Sequence, residues 1–129
     1  MKRTVVVIDD SKFLVKMLVD FFQEKMGYEV LASGYNGNHA VELYRQHRPD
    51  LLTLDLTMPV KDGLTALVEI LTGFPDAKIL IISAITDSTI LECLKRGAKG
   101  FIEKPLRTEE DDFVLEFRTT LDEILGPQP

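Results

Sequence analysis

Residues 4–10 have the sequence Thr4-Val5-Val6-Val7-Ile8-Asp9-Asp10, a β-branched apolar run that ends in two aspartates. A short run that is apolar nearly throughout is typical of a strand buried on both faces of a parallel sheet. The runs at 51–54 and 78–82 have the same character, whereas those at 28–32 and 100–102 are more polar and indicate edge strands. The sequence therefore predicts five strands, of which three are central.

A segment with the apolar periodicity of an amphipathic helix follows each of these runs. The predicted helices are residues 12–25, 38–47, 64–71, 88–96 and 108–125. Ser11 is the predicted N-cap of the first helix, and Gly27, Gly97 and Gly126 stand where left-handed C-caps are expected. This alternation predicts an α/β fold in which a parallel sheet has helices on both faces.

The composition is that of one ordinary globular domain, since the 129 residues are 45% hydrophobic and 28% charged. We expect this domain to span residues 1–125, with 126–129 as a tail or the start of a linker. A net charge of −6 argues against nucleic acid or an anionic membrane as a direct partner. Cys93, the single cysteine, is expected to be a packed apolar residue. With no signal peptide or membrane span apparent, the expected location is the cytoplasm.

Polar side chains follow four of the five predicted strands. In an open parallel sheet, ligands bind in the crevice beyond the carboxyl ends of the strands, so these residues are the candidates for chemistry. They are Asp9 and Asp10 after the first strand, Asp55 after the third, Ser83 after the fourth, and Lys104 and Pro105 after the fifth.

If the strand order is 2-1-3-4-5, Asp9, Asp10 and Asp55 form one cluster, because the first and third strands are then neighbours about 4.8 Å apart. Two carboxylates about 5 Å apart repel each other by roughly 3 kcal/mol, so the cluster requires a cation or raised pKa values. Mg²⁺ suits such oxygen-only ligands. With Lys104 reaching over Asp55 and Ser83 offering a hydroxyl, the arrangement fits phosphoryl transfer to Asp55 as the nucleophile.

These residues occur in an order and spacing that resemble the response-regulator receiver family of two-component signalling, of which the chemotaxis switch proteins are members. The match spans nearly the whole chain, with spacings of 45, 28 and 21 residues between the second aspartate, the third aspartate, the serine and the lysine. The motifs that carry the resemblance are Asp9-Asp10, Asp55-Leu56-Thr57-Met58-Pro59, Asp62-Gly63, Ser83-Ala84 and Lys104-Pro105.

The resemblance implies a flavodoxin-like (βα)5 fold with sheet order 2-1-3-4-5, and Asp55 as the acceptor of a phosphoryl group from a histidine kinase or phosphotransfer protein. It also implies Mg²⁺ bound by Asp10, Asp55 and the backbone carbonyl of Thr57, with Asp9 acting directly or through water. Lys104 and Ser83 would then bind the phosphoryl group. The family's Lys-Pro bond, here Lys104–Pro105, is cis.

The resemblance further implies a switch in which Ser83 and Phe101 report phosphorylation to partners. Phe101 lacks the hydroxyl of the tyrosine found in many relatives, serine replaces the commoner threonine at 83, and Leu106 stands where phenylalanine is usual. The face built from the fourth helix, fifth strand and fifth helix would bind a downstream protein. Such a protein catalyses only its own phosphotransfer and dephosphorylation, and it is a monomer or a phosphorylation-dependent dimer.

Three alternatives stay open. The chain resembles the stand-alone chemotaxis type more than a transcription factor, but the receiver part of a larger response regulator would have the same sequence features. A haloacid-dehalogenase-like phosphohydrolase also uses an aspartyl nucleophile and magnesium, but it requires a second aspartate two residues beyond the first, where this chain has Thr57. A receiver fold regulated by binding alone is the third, and the intact set of Asp10, Asp55 and Lys104 argues against it.

Overall fold

A computed structural model describes residues 2–128 and contains one five-stranded parallel sheet. The strands lie in the order β2-β1-β3-β4-β5, which confirms the predicted number and order. Their bounds are Thr4–Ile8 for β1, Glu29–Gly34 for β2, Leu51–Leu54 for β3, Ile79–Ser83 for β4 and Gly100–Glu103 for β5. All residues of β3 and β4 are buried, as expected of central strands.

Five helices connect and follow the strands. They are α1 (Lys12–Phe21), α2 (Gly37–His47), α3 (Gly63–Gly73), α4 (Ser88–Lys95) and α5 (Asp111–Leu125). The prediction of an α-helix over residues 12–25 was wrong at its C-terminal end, where Phe22–Met26 form a π-helical turn. No helix in the described part of the chain is long and apolar enough to cross a membrane.

The start of the last helix is a second correction, since α5 begins at Asp111 and not at residue 108. The ammonium group of Lys25 donates to the carbonyl oxygen of Thr108 and lies 3.3 Å from the carboxylate of Glu109. The amide of Glu110 donates to the carbonyl of Arg107, at 2.9 Å, and closes a turn. These contacts hold residues 107–110 in a turn, so the acidic run enters the helix only at its end.

The ends of the helices follow local chemistry. The hydroxyl of Ser11 accepts a hydrogen bond from the amide of Leu14, which confirms the predicted N-cap. Gly27 ends the π-helical turn in the left-handed conformation, at φ 74°, as predicted. Gly126 differs from the prediction, because its φ of 84° is combined with an extended ψ of 162°. The chain therefore continues after α5 in an extended conformation.

The predicted tail begins at that point. The guanidinium group of Arg3 donates to the carbonyl oxygens of Leu125 and Gly126, at 3.1 and 2.7 Å. Residues 125–127 are thus bonded to Arg3, directly before β1, whereas Pro129 lies outside the described residues. The assignment of residues 126–129 as a tail or linker stays a prediction.

The apolar residues form two clusters, one on each face of the sheet, which confirms that helices cover both faces. One cluster joins the sheet to α2, α3 and α4 and contains the fully buried Cys93. The other joins it to α1 and α5. Phe117 and Leu121 of α5 are fully buried in this second cluster, and Phe113 and Ile124 pack against it, as the helical spacing predicts.

Thr53→Val is expected to raise the free energy of unfolding by about 1 kcal/mol. Thr53 is fully buried in β3, and its hydroxyl has no hydrogen-bond partner among residues 2–128. Valine keeps the branched shape and removes the cost of burying that hydroxyl. Urea unfolding measures the change, with the exposed Thr72→Val as the control. A destabilised Thr53 variant would show that the hydroxyl has a favourable interaction.

Candidate functional site

Three carboxylates meet at the carboxyl edge of the sheet. Asp9 and Asp10 follow β1 and Asp55 follows β3, and the two strands are paired so that Ile8 lies opposite Leu54. One oxygen of each carboxylate lies within 4.8 Å of the other two. Asp9 and Asp55 are buried, with 1% and 4% of their surface exposed, whereas Asp10 is exposed. The predicted cluster of aspartates is therefore confirmed.

Lys104 supplies the positive charge of the site. Its ammonium nitrogen lies 2.8 Å from Oδ2 of Asp9 and 3.5 Å from Oδ1 of Asp55. We expected the ammonium group over Asp55, and it lies closer to Asp9. With all three carboxylates ionised, one ammonium leaves the cluster with two negative charges in excess.

Backbone amides fix the orientation of two of the carboxylates. The amide of Ser11 donates to Oδ1 of Asp9 at 3.0 Å, and the amide of Leu56 donates to Oδ1 of Asp55 at 2.9 Å. Sequence reasoning missed both contacts, because every residue except proline carries an amide. The only available signal was the tendency of aspartate to accept from an amide two residues on.

Burial and neighbouring charge raise the pKa of Asp55 to about 6. Loss of solvent is the largest cause, and the carboxylate of Asp9 is the next. The ammonium group of Lys104 opposes them, Asp10 adds to the rise, and the amide of Leu56 lowers the pKa. Asp55 is thus largely ionised at neutral pH, in an environment that disfavours its charge.

Ser83 ends β4 and is buried at the same edge of the sheet. Its hydroxyl oxygen accepts a hydrogen bond from the amide of Ile85, at 3.1 Å. The carbonyl of Ser83 accepts from the amide of Lys104, at 3.0 Å, so the two predicted phosphoryl-binding residues are joined through the backbone. Phe101 of β5 is half-buried and packs, with Ile85, against the cluster that contains α4.

The loop after Asp55 is held close to the strand it follows. A Cβ on Gly63 would lie 2.2 Å from the carbonyl oxygen of Asp55, so only glycine permits this approach. The carboxylate of Asp62 accepts from the amide of Thr65 and caps α3. Thr57 lies exposed in this loop, and the role of its carbonyl in metal binding stays a prediction. The Lys104–Pro105 peptide bond is cis.

The donor set fits a hard divalent cation. All three carboxylates offer oxygen, and Oδ2 of Asp9 is buried with no hydrogen-bond partner among residues 2–128, although the ammonium group of Lys104 is near. Mg²⁺ prefers such oxygen ligands. Asp10 and Asp55, with Asp9 behind them, are the residues that would hold it.

Comparison with known proteins agrees with this geometry. The sequence profile of the response regulator receiver domain matches residues 5–112. This chain belongs to the response regulator receiver family. The receiver domain is 42% identical over 108 residues to the chemotaxis protein CheY of Thermotoga maritima, a match that covers 83% of this chain and 89% of that one. It is 41% identical to CheY of Bacillus subtilis over 110 residues, covering 84% and 91%.

Solved structures have the same fold as this receiver domain. A complex of CheX, CheY, BeF3 and Mg²⁺ from Borrelia burgdorferi contains a chain with a TM-score of 0.85 and 33% identity, covering 95% of this chain and 88% of that one. The receiver domain of Thermotoga maritima CheB has a TM-score of 0.86 and 27% identity, with full coverage of both chains. The flavodoxin-like fold is therefore confirmed.

Proposed function

We propose that this receiver domain is a phosphorylation-dependent signalling switch that accepts a phosphoryl group on Asp55 from a histidine kinase or phosphotransfer protein. The observation that supports this most strongly is the buried carboxylate of Asp55, with two further carboxylates within 4.8 Å and the Lys104 ammonium 3.5 Å away. If these aspartates served only to stabilise the fold, neither the excess of negative charge in the cluster nor the burial of that charge would be explained. A site that holds a cation and a phosphoryl group explains both.

In the proposed reaction, a carboxylate oxygen of Asp55 attacks the phosphorus atom, and the bond between phosphorus and the donor's imidazole nitrogen breaks. The electron pair of that bond leaves with the donor. Lys104 neutralises part of the charge on the transferred oxygens, and the hydroxyl of Ser83 donates to one of them. Bound Mg²⁺ would supply further neutralisation between the carboxylates and the phosphoryl group.

The switch follows from the same contacts. The hydroxyl of Ser83 is engaged by the amide of Ile85, so reorientation toward a phosphoryl group would release that amide and the start of the loop to α4. Phe101, half-buried beside this loop, would then repack. The face formed by α4, β5 and α5 is the surface on which we place the downstream protein. A similar CheY forms a complex that contains CheX and Mg²⁺.

The intact mass of the protein after incubation with acetyl phosphate tests the proposal. A gain of one phosphoryl group that requires Mg²⁺ and is absent in Asp55→Asn is the expected result. Asp62→Asn is the control, because asparagine also caps helices. If the mass does not increase with acetyl phosphate or with a histidine kinase as the donor, Asp55 is not a phosphoacceptor and the domain works by binding alone.

Mg²⁺ binding is expected to weaken by about tenfold for each pH unit below pH 6, and to be nearly constant above pH 7. The pKa of Asp55 is raised to about 6, so a proton competes with the cation below that pH. Calorimetric titration with MgCl₂ at pH 5, 6, 7 and 8 measures the affinity. Equal affinity at pH 5 and pH 8 would show that Asp55 does not bind the ion.

As part of this function, we place the domain in the cytoplasm. We also propose that it catalyses only its own phosphotransfer and dephosphorylation. Rapid turnover of acetyl phosphate to inorganic phosphate, without accumulation of the phosphorylated protein, would instead identify a phosphohydrolase. The domain would act either as a stand-alone switch or as the receiver part of a larger response regulator.

A further inference from the structure

The chain reverses sharply at Val60, in the loop that joins Asp55 to α3. The amide of Lys61 donates to the carbonyl oxygen of Pro59, at 2.7 Å, and Val60 between them has a φ of 69°. A hydrogen bond across a single residue with positive φ is a γ-turn of the rare and strained kind. The strain is large here, because valine is branched at Cβ and such residues are outliers at positive φ.

The side chain of Val60 does not offset this strain. It is 78% exposed, so burial of apolar surface contributes little at this position. A residue in a strained conformation costs free energy and persists only where the surrounding structure holds it. The contacts that hold Val60 must therefore lie on the two sides of the turn.

The core of the domain holds the side of the loop before the turn. Leu56 and Met58 are buried in the cluster that joins the sheet to α2, α3 and α4. The amide of Gly63 donates to the carbonyl oxygen of Leu56, at 3.0 Å, and closes the base of the loop. The ring of Pro59 fixes the φ of that residue at about −65°. Val60 is therefore the residue at which the chain has to turn.

Lys61 holds the side of the loop after the turn. Its carbonyl oxygen accepts from the amide of Gly37, at 2.9 Å, which is the first residue of α2 and has no partner for its amide within the helix. A Cβ on Gly37 would lie 2.3 Å from that oxygen, so only glycine permits this approach. The ammonium group of Lys61 pairs with the carboxylate of Glu69 in α3, at 2.6 Å.

The strain and the contacts after the turn are of similar size. A positive φ in a residue other than glycine costs about as much free energy as one hydrogen bond and one exposed ion pair contribute together. The loop is therefore held by a small margin, and the loss of either contact lets a large fraction of the molecules relax the turn.

Relaxation of the turn would disturb the candidate metal site. Thr57, whose carbonyl is the predicted backbone ligand of Mg²⁺, lies three residues before Val60 in the same loop. Where only a fraction of the molecules has the loop in place, the apparent dissociation constant rises in inverse proportion to that fraction.

We propose that Lys61 and Glu69 are positioning residues for the Mg²⁺ site. Their ion pair, together with the bond from Gly37, holds the loop against the strain at Val60. The carbonyl of Thr57 is thereby kept in place for the ion. This inference rests on the proposed function in one respect, since it takes that carbonyl as a ligand of Mg²⁺.

Calorimetric titration with MgCl₂ at pH 8 and physiological salt tests the role of the ion pair. Glu69→Gln is expected to raise the dissociation constant of Mg²⁺ about threefold. In the Val60→Asn background the same change is expected to raise it by about 1.5-fold or less, because asparagine tolerates a positive φ and the turn is no longer strained. Glu92→Gln is the control, since it also removes one negative charge and breaks an ion pair, that of Glu92 with Arg96 in α4. It is expected to have an effect of about 1.5-fold or less.

The two backgrounds separate strain from simple charge repulsion. Glu69→Gln leaves the cation of Lys61 without a partner, and a free cation near the site also repels Mg²⁺. That repulsion is the same with and without Val60→Asn, whereas the strain is not. Equal weakening in both backgrounds would therefore overturn the proposal, as would no weakening in either.

Amide hydrogen exchange without Mg²⁺, followed by NMR, measures the loop itself. The amide of Gly37 is expected to exchange about twofold faster in Glu69→Gln, because release of the loop breaks its bond to Lys61. In the double variant with Val60→Asn it is expected to exchange at the wild-type rate. Faster exchange in Glu69→Gln with unchanged Mg²⁺ affinity would overturn the positioning role.

The exchange measurement also separates this inference from the proposed function. If the wild type binds no Mg²⁺, the proposed metal site is refuted, and the exchange of Gly37 alone decides whether the ion pair holds a strained loop. Unchanged exchange in Glu69→Gln would then refute the inference as well. If the wild type binds Mg²⁺ and Glu69→Gln changes neither measurement, the inference fails and the metal site stands.

Discussion

Asp55→Asn is expected to raise the free energy of unfolding by about 3 kcal/mol at pH 8 in the absence of Mg²⁺. In the folded protein the pKa of Asp55 is raised from 3.8 to about 6, because burial and the carboxylate of Asp9 disfavour the charged form. Each pKa unit corresponds to about 1.4 kcal/mol, so the ionised side chain costs about 3 kcal/mol of stability. Asparagine has nearly the same shape and no charge.

The sign of this effect depends on pH. A pKa that is higher in the folded state means that protonation favours folding, so the contribution of Asp55 to stability is fully present below pH 3.8. It is lost as the pH rises through about 6. The gain from Asp55→Asn is therefore expected to be about 0.5 kcal/mol at pH 4, most of its full value at pH 6 and complete at pH 8.

Urea unfolding at pH 4, 6 and 8 measures this gain. The exposed Asp76→Asn is the matched control and is expected to change stability by less than about 0.5 kcal/mol at each pH. A variant at Asp55 that is less stable than the wild type at pH 8 would show that the ionised carboxylate is stabilised in the folded protein, and the repulsive site would be disproved.

Lys104→Met is expected to lower the free energy of unfolding at pH 8 by about 3 to 5 kcal/mol in the absence of Mg²⁺. The ammonium group lies 2.8 Å from Oδ2 of Asp9 and 3.5 Å from Oδ1 of Asp55, and both carboxylates are buried. Methionine fills a similar volume but leaves those two charges without their counter-ion. Removing one partner of a buried pair costs more than the pair itself contributes.

Two conditions should restore stability to the Lys104 variant. MgCl₂ supplies positive charge to the aspartates, and Asp55→Asn in the same chain removes one of the unbalanced charges. Thermal unfolding with and without 10 mM MgCl₂ measures the first, and the double variant measures the second. Lys99→Met, at an exposed lysine outside the site, is the control and should respond to neither. Equal losses at Lys104 and Lys99 would show that the ion pairs do not stabilise the fold.

Much of the fold could be predicted because its signals are local. The β-branched run at residues 4–8 and the buried run at 51–54 lie within the strands that the structure contains. The cap at Ser11 and the left-handed residue Gly27 depend on contacts within one turn of chain. The aspartates follow directly after β1 and β3, so their meeting required only the order of the strands.

The parts that were wrong depend on contacts between distant residues. The bond from Lys25 to the carbonyl of Thr108 joins the π-helical turn after α1 to the turn before α5, and with it the last helix starts at Asp111. Helical propensity around residues 108–110 carries no information about that bond. The π-helical turn at Phe22–Met26 is packed in the same region, because Phe22 and Met26 are buried in the cluster that joins the sheet to α1 and α5.

The amino-acid sequence by itself determined which residues stand at the carboxyl edge of the sheet, because strand periodicity and the position of each polar residue after its strand are local properties. Only the tertiary structure decided which partner each of those side chains contacts. The preference of Lys104 for Asp9 over Asp55 depends on distances that differ by less than 1 Å, and the bond of the Ser83 hydroxyl to Ile85 depends on one side-chain rotation.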